Sequence, residues 1–473
     1  MKKRVFLSAL AVLLCCNIFA QQAKYVFYFI GDGMGVNQVQ GTELFQEELN
    51  GNIGISPLCF TQFPYSTVAT TYSATNGVTD SAAAGTALAT GHKTKNGAIG
   101  VLKDLETPVY SVAVWAKNAG AKVGVATSVS IDHATPAAFY AHEAGRGSYY
   151  NIGTHLYKTG FDFYAGSDFM EPTNKDDKSA KNLYDMADYY GYKIARGYDD
   201  YKSKSNKTSK IILFQSEDDS SKDRSSIPFA IDRDDDNLTL EEITTSAIDF
   251  LTKNKSDKFF LMVEGGKIDW ACHGNDAATV FREVQDFDNA IKIAYDFYLK
   301  HKDETLIVVT ADHETGGIVL GTGAYKLNLK ALENQKVSEN KFTKKINELR
   351  KESNNHVEWE EVKDELKECF GFWDEIQLTE KQENRLKEVY DRSIKNGNSE
   401  VEKSEYSKDE AISAEAKRII NEIALVGWTS GGHSAGYVPV FAIGAGAENF
   451  SGRIDNTDIP KRIAKAAGYS ISK

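Results

Sequence analysis

The chain has 473 residues, 41% hydrophobic and 26% charged, a composition that excludes disordered and collagen-like classes and suits one large core with an insertion. Its formal net charge of -12 argues against sequence-blind binding to nucleic acid, because phosphate backbones are held by clustered Lys and Arg.

The first residues, MKKRVFLSALAVLLCCNIFAQQ, combine a basic start, an apolar run from Val5 to Leu14 and a small residue, Ala20, at a cleavage position. They read as an export signal over 1–20, which would place the mature chain 21–473 in the periplasm or outside the cell. A membrane span is the weaker reading, since the run falls short of the roughly 20 residues that cross a bilayer. A lipoprotein anchor through Cys15 or Cys16 is disfavoured by the large Leu14 where a small residue is expected. Only Cys59, Cys272 and Cys369 lie beyond the signal, so at most one intramolecular disulfide can form, and the pairing of Cys59 with Cys369 is left open. With no C-x-x-C pair, any metal site must use His and carboxylates.

Short apolar runs follow along the chain: KYVFYFI, KVGVATSV, KIILFQS, KFFLMVE, TLIVVTA and YVPVFAIGA, separated by helix-like stretches such as VYSVAVWAKNAGA. Runs without polar alternation fit strands buried on both faces. The pattern predicts an α/β fold, a mostly parallel central sheet flanked by helices on both faces. In such sheets ligands sit beyond the carboxyl ends of the strands, and here the strand exits carry acids. KYVFYFI runs into Gly31 and Asp32, KVGVATSVS into Asp132, His133 and Thr135, KFFLMV into Glu264 and Asp269, and TLIVVT into Asp312 and His313.

Residues 78 to 94, VTDSAAAGTALATGHKT, place Asp80 directly before Ser81. Both residue types cap helices, so this stretch alone leaves Ser81 open as a cap or a nucleophile. From about Tyr325 to Ala424 the composition turns to Lys, Glu, Asn and Ser with apolar residues at helical spacing. We read 325–424 as a charged helical insertion before the last core strands, with solvated faces.

Of nine histidines, three lie beside acids or glycines at strand exits. His273 follows Asp269 by four residues, a spacing that puts both on one helical face. His313 adjoins Asp312, and His433 sits in GWTSGGHSAG, where glycines let the backbone fold round a ligand. One such His alone is more often structural; three together favour ligation. Zinc favours imidazole and carboxylate with an open position. Asp269, His273 and His433 would make one site, and Asp32, Asp312 and His313 a second. Asp32, Thr135 and Glu264 offer oxygen ligands suited to magnesium, although Thr135 beside Pro136 also reads as a helix start.

The blocks IGDGMG, TDSAAAGTALATG, HATPAAFYAHEAGR, VEGGKIDWACHG, TADHETGG and GGHSAG occur in the order and spacing of alkaline phosphatases. They cover most of residues 24 to 325 and 425 to 447, and the chain resembles that family. The resemblance implies hydrolysis of small-molecule phosphate monoesters at alkaline pH, with two zinc ions and one magnesium. Ser81 matches the nucleophile, which also faces the metals. Asp32 matches the carboxylate bridging zinc and magnesium, Thr135 and Glu264 magnesium ligands, Asp269, His273 and His433 the first zinc site, and Asp312 and His313 the second. Arg146 matches the guanidinium that grips the phosphate. A homodimer is a further implication.

His133 stands where some members have Asp and Trp270 where some have Lys; both are candidate substrate contacts, and His133 leaves the third-site metal open. Packing is an equal reading for Trp270. A sulfatase would need Pro and Arg after its nucleophile, which DSAAA lacks, and a diesterase would have little need of the magnesium site. A phosphate- or metal-binding protein without chemistry would not explain Ser81 amid a full ligand set.

Overall fold

The protein is described by a computed structural model over residues 22–216, 223–253, 257–323 and 325–471; the expected signal over 1–20 lies outside the described residues. The main strands up to the eighth are β1 (Tyr25–Gly31), β2 (Tyr65–Thr70), β3 (Lys122–Thr127), β4 (Phe163–Gly166), β5 (Lys193–Arg196), β6 (Ile211–Phe214), β7 (Phe259–Gly265) and β8 (Thr305–Ala311). Short strands follow: β9 (Glu314–Thr315), β10 (Val319–Leu320), β11 (Val401–Lys403), β12 (Lys408–Glu410), β13 (Val426–Gly427) and β14 (His433–Ser434). The last two are β15 (Val438–Gly444) and β16 (Ile454–Asp455).

Ten of these form one twisted layer in the order β16-β2-β15-β8-β1-β7-β3-β4-β6-β5. From β8 to β5 every neighbour pair is parallel, whereas β15 runs antiparallel to both β8 and β2. The expected mostly parallel α/β sheet with helices around it is what the chain forms. Strands β7 and β8 are buried along their whole length and β1 along all but its first residue. That is why they read as unbroken apolar runs. The 24-residue helix Ala277–Lys300 packs on the sheet through Phe287, which meets Phe29 edge-on at 5.9 Å and Phe60 at 6.3 Å.

Register decides what happens at the strand ends. Gly31 of β1 stands opposite both Gly265 of β7 and Ala311 of β8, and Ile30 opposite Glu264. The next residues out, Asp32 and Asp312, therefore emerge side by side with Glu264. On the far side of β7, Thr127 of β3 pairs with Glu264.

The charged region is closed at its stem by β10 pairing with β13, Val319 opposite Gly427 and Leu320 opposite Val426. Between them lie the helices Glu339–Glu352, Trp359–Phe370, Glu380–Ser393 and Ala411–Ala424. Their apolar stripes bury Phe342, Ile346, Leu366, Phe370, Leu386, Ile412 and Ile419. The same region holds a β11–β12 hairpin, which the purely helical expectation left out. Its turn is clasped by Ser404 and Ser407, whose hydroxyl oxygens lie 2.8 Å apart; such local side-chain contacts build turns without any apolar pattern. Cys59, Cys272 and Cys369 are free thiols, so Cys59 and Cys369 do not pair. Among the described residues no helix is long and apolar enough to cross a membrane.

Phe287 is fully buried between strand and helix, so Phe287→Ala is expected to destabilise the fold by about 3–5 kcal/mol in urea denaturation, in the range for deleting a core aromatic. A loss below about 1 kcal/mol would show that this contact does not anchor the sheet.

Candidate active site

The helix Ser81–Thr90 begins at the carboxyl ends of the strands. Asp80 is its cap: one carboxylate oxygen accepts from the Ala83 amide at 3.0 Å, satisfying an orphan donor of the first turn. Capping therefore belongs to Asp80, and Ser81 is left as the first helical residue with its hydroxyl turned to the strand ends. Its Oγ lies 3.3 Å from His313 Nε2. The small residues that follow matter because a Cβ on Gly85 would stand 3.2 Å from Thr135 Cα; a glycine lets this helix sit directly against the short helix Ala134–Ala137.

Two of the three groups expected from sequence come together. Asp269, His273 and His433 form one cluster, Asp32, Asp312 and His313 a second, and in each the ligand atoms lie within 4.8 Å of one another. Asp269 and His273 are one turn apart on the helix Lys267–His273, with His273 Nε2 3.3 Å from Asp269 Oδ2. His433 reaches them because β14 pairs with β9, setting His433 opposite Thr315. Its ring stacks on that of His313, with centroids 3.6 Å apart. His313 Nε2 is 3.3 Å from Asp312 and 3.4 Å from Asp32. A third cluster joins Asp32 and Glu264 to His133. Thr135 is buried close by, with a hydroxyl oxygen that has no hydrogen-bond partner.

Groups that sequence reasoning did not single out fix the orientation of these ligands. His273 Nδ1 donates to the Gly431 carbonyl at 2.6 Å and His433 Nδ1 to the Thr79 carbonyl at 2.8 Å. A carbonyl only accepts, so each Nδ1 carries a proton and each Nε2 is turned inward, the two Nε2 atoms standing 3.1 Å apart. Thr315 Oγ1 holds Asp269 at 2.6 Å and lies 3.2 Å from His313 Nδ1. Thr127 Oγ1 hydrogen-bonds Glu264, and the Gly33 amide donates to Asp312 at 3.1 Å. Gly33 has φ 69°, and a Cβ there would stand 2.8 Å from Asp269 Cα, so the loop after β1 can close over Asp269 only without a side chain. Thr315 sits inside the motif TADHETGG, and its place there was the available signal.

Arg146 bonds Asp80 through Nη1 at 3.2 Å and turns Nη2 to His133 Nε2, also at 3.2 Å. An arginine only donates, so His133 accepts there. Trp270 lies at the rim and is stacked by Tyr406 of the β11–β12 hairpin, a neighbour that composition gave no reason to expect.

Electrostatically the centre is out of balance. Asp32, Glu264, Asp269 and Asp312 are all fully buried. Burial, reinforced by Asp312, Asp269 and Glu264, raises Asp32 well above the usual carboxylate range. Burial likewise pushes Glu264 up to about 8, and burial with the charge of Asp269 pushes Asp312 up to about 6. Asp269 moves down, because His273 and His433 beside it outweigh its burial. His273 is raised to about 9: burial opposes its charge, but Asp269 prevails. Burial and Arg146 lower His133 to about 3, and burial and His433 lower His313. Both Asp32 oxygens, Glu264 Oε1, Asp269 Oδ2 and Asp312 Oδ2 have no hydrogen-bond partner. Buried carboxylate oxygens are rarely left so, and cations would satisfy them.

Comparison with known proteins gives a consistent result. The family model for alkaline phosphatase matches residues 23–171 and 162–469. Alkaline phosphatase 3 of Bacillus subtilis is 34% identical over 457 residues, covering 95% of this chain and 90% of its own. The cold-active alkaline phosphatase of a psychrophilic Shewanella superposes with a TM-score of 0.76 at 30% identity, covering 93% of this chain and 99% of its own. A histidine-to-aspartate mutant of the alkaline phosphatase from the Antarctic bacterium TAB5, solved with Mg in its M3 site, gives 0.64 at 27% identity over 95% of this chain and 99% of its own.

The shifts of Glu264 and His273 fix a sign for the metal-free protein. Both groups have folded-state values above their unfolded ones, so their contribution to stability is present at low pH and lost as pH rises through about 8 and about 9. His133 and His313, lowered by burial, stay neutral through this window. After dialysis against a chelator, the Tm at about pH 9 is expected to fall at least about 3 °C below that at about pH 6.5. Added zinc and magnesium, which bind the deprotonated ligands, should remove the difference. A stripped protein that is as stable at the higher pH would contradict the assignment.

Proposed function

The chain belongs to the alkaline phosphatase family and hydrolyses phosphate monoesters, and we propose that it does so through a phosphoserine on Ser81, assisted by two zinc ions and one magnesium. The donor set fits these cations. Asp269, His273 and His433 supply nitrogen and oxygen in the number a zinc site with an open position uses, and Asp32, Asp312 and His313 do the same. Asp32, Glu264 and Thr135 supply oxygens for magnesium, with His133 beside them. When bound, the cations would neutralise charge on the phosphoryl group and stabilise the attacking and leaving oxygens of an in-line displacement.

The residues of the chain do the rest. Arg146, locked by Asp80, presents its guanidinium to two non-bridging phosphate oxygens, a bidentate contact that Lys could not reproduce. His133, neutral and accepting from Arg146 Nη2, holds the other edge of that guanidinium. Ser81 Oγ attacks phosphorus and the bond to the ester oxygen breaks, releasing the alcohol. Water then cleaves the serine ester and frees inorganic phosphate. The helix that starts at Ser81 directs its amino end toward the negative charge.

An alkaline optimum belongs to the same reading, as membership of the family implies. Export through the segment 1–20 completes the proposal. The observation that carries it is the clustering of buried, unpartnered carboxylate oxygens with inward-facing imidazole nitrogens, one of which, His313 Nε2, lies 3.3 Å from Ser81 Oγ.

Incubation with p-nitrophenyl phosphate followed by an acid quench should leave phosphate on Ser81, detectable by mass spectrometry. Ser81→Ala should carry no phosphate and lose at least about 1000-fold in kcat. Full turnover without the hydroxyl would sink the mechanism. Diester and sulfate analogues of the same phenol should be much poorer substrates than the monoester.

A further inference from the structure

The β11–β12 hairpin reaches from the charged region into the phosphate-binding cage, and Tyr406 stands at its tip. The Tyr406 ring lies parallel to that of Trp270, with centroids 4.5 Å apart and planes inclined by 8°. It also meets His273 edge-on at 5.3 Å and His133 at 6.1 Å. The neighbouring Glu405 brings its carboxylate to 3.5 Å from His273 Nε2. The tip is thus fixed over the site by aromatic and polar contacts at once, the parallel ring pair adding stabilisation beyond its buried area.

The Tyr406 hydroxyl is 3.3 Å from Arg146 Nη2. A guanidinium only donates, so the phenol oxygen is the acceptor in this contact. The hydroxyl proton of Tyr406 has no acceptor among the described residues. The hydroxyl sits beside Arg146, within 3.3 Å of the arm that grips phosphate in the function proposed above. Cavities of about 590 and 720 Å³ flank the hairpin, one reaching His273 and Trp428, the other Lys267, Phe229 and Trp270. The organic part of an ester therefore has room on either side without displacing the stack.

We propose that Tyr406 is a substrate-binding residue: its hydroxyl donates a hydrogen bond to a non-bridging oxygen of the phosphoryl group held by Arg146, and Trp270 is the positioning residue that holds the Tyr406 ring in place. This rests on the phosphomonoesterase function proposed above. It gives the inserted region a direct part in the site, and it moves Trp270 from a substrate contact to the support of one. Because the hydroxyl addresses the phosphoryl group and not the alcohol, its effect is the same for every monoester.

Tyr406→Phe keeps the stack and removes the donor. In zinc- and magnesium-loaded protein, calorimetry should show inorganic phosphate binding about tenfold more weakly to this variant, the loss expected for a hydrogen bond to a charged group. The kcat/KM values for p-nitrophenyl phosphate and glycerol phosphate should fall together by a similar factor. Trp270→Ala should weaken phosphate binding comparably, and the double variant should add little to either single loss. Unchanged phosphate affinity in Tyr406→Phe, or a loss confined to the nitrophenyl ester, would overturn the proposal. Absence of monoesterase activity in the unmodified protein would instead overturn the parent function, while phosphate affinity still decides the part played by Tyr406.

Discussion

Everything in this structure turns on four carboxylates held in one dry space. Asp32, Glu264, Asp269 and Asp312 are excluded from water, and like charges at such separations in a low dielectric repel strongly. A protein can tolerate that arrangement by protonating the acids or by surrounding them with cations. The raised values of Asp32, Glu264 and Asp312 are the first response; the imidazoles turned inward beside unpartnered oxygens are the preparation for the second. Parallel register imposes the crowding, because β1, β7 and β8 end level, β1 and β8 run straight into Asp32 and Asp312, and Glu264 stands at the end of β7 between them and β3. The sheet thus concentrates charge at its carboxyl end, where helix amino termini and loops can reach it.

The surrounding residues are arranged to serve that centre. Asp80 caps a helix and anchors Arg146 with the same carboxylate, so Ser81 at the helix start and the Arg146 guanidinium are set by one side chain. Carbonyls of Gly431 and Thr79 decide which imidazole nitrogen faces inward. Such contacts hold ligands in the geometry a metal requires before it arrives. The lone antiparallel member of the central strands, β15, follows the loop that carries His433, and the β14–β9 pairing brings that loop back over the site.

Much of this was legible in the sequence, for identifiable reasons. Strands β1, β3, β6, β7, β8 and β15 are buried and continuous in apolar character, so their runs announce them. Strand β2 is partly exposed along YSTVAT and β5 is the four residues KIAR; neither carries a pattern long enough to read. The acids and histidines were visible because they stand directly at strand exits, where a polar cluster interrupts an apolar run. Thr127 and Gly431 were not, since a hydroxyl or a carbonyl has no signature apart from the fold that places it. Tyr406 was hidden more deeply. It lies in SEYSK within a charged tract, and only the hairpin and the closed stem of the inserted region carry it to Trp270, more than a hundred residues earlier.

The central claim is that the buried acids and imidazoles form three cation sites built around Ser81. X-ray diffraction from crystals grown with zinc and magnesium, recorded above and below the zinc absorption edge, tests it most directly. The account predicts anomalous density at Asp269, His273 and His433 and again at Asp32, Asp312 and His313. It also predicts a lighter ion among Asp32, Thr135 and Glu264. Zinc bound elsewhere, with these side chains bridged only by protons and water, would contradict it.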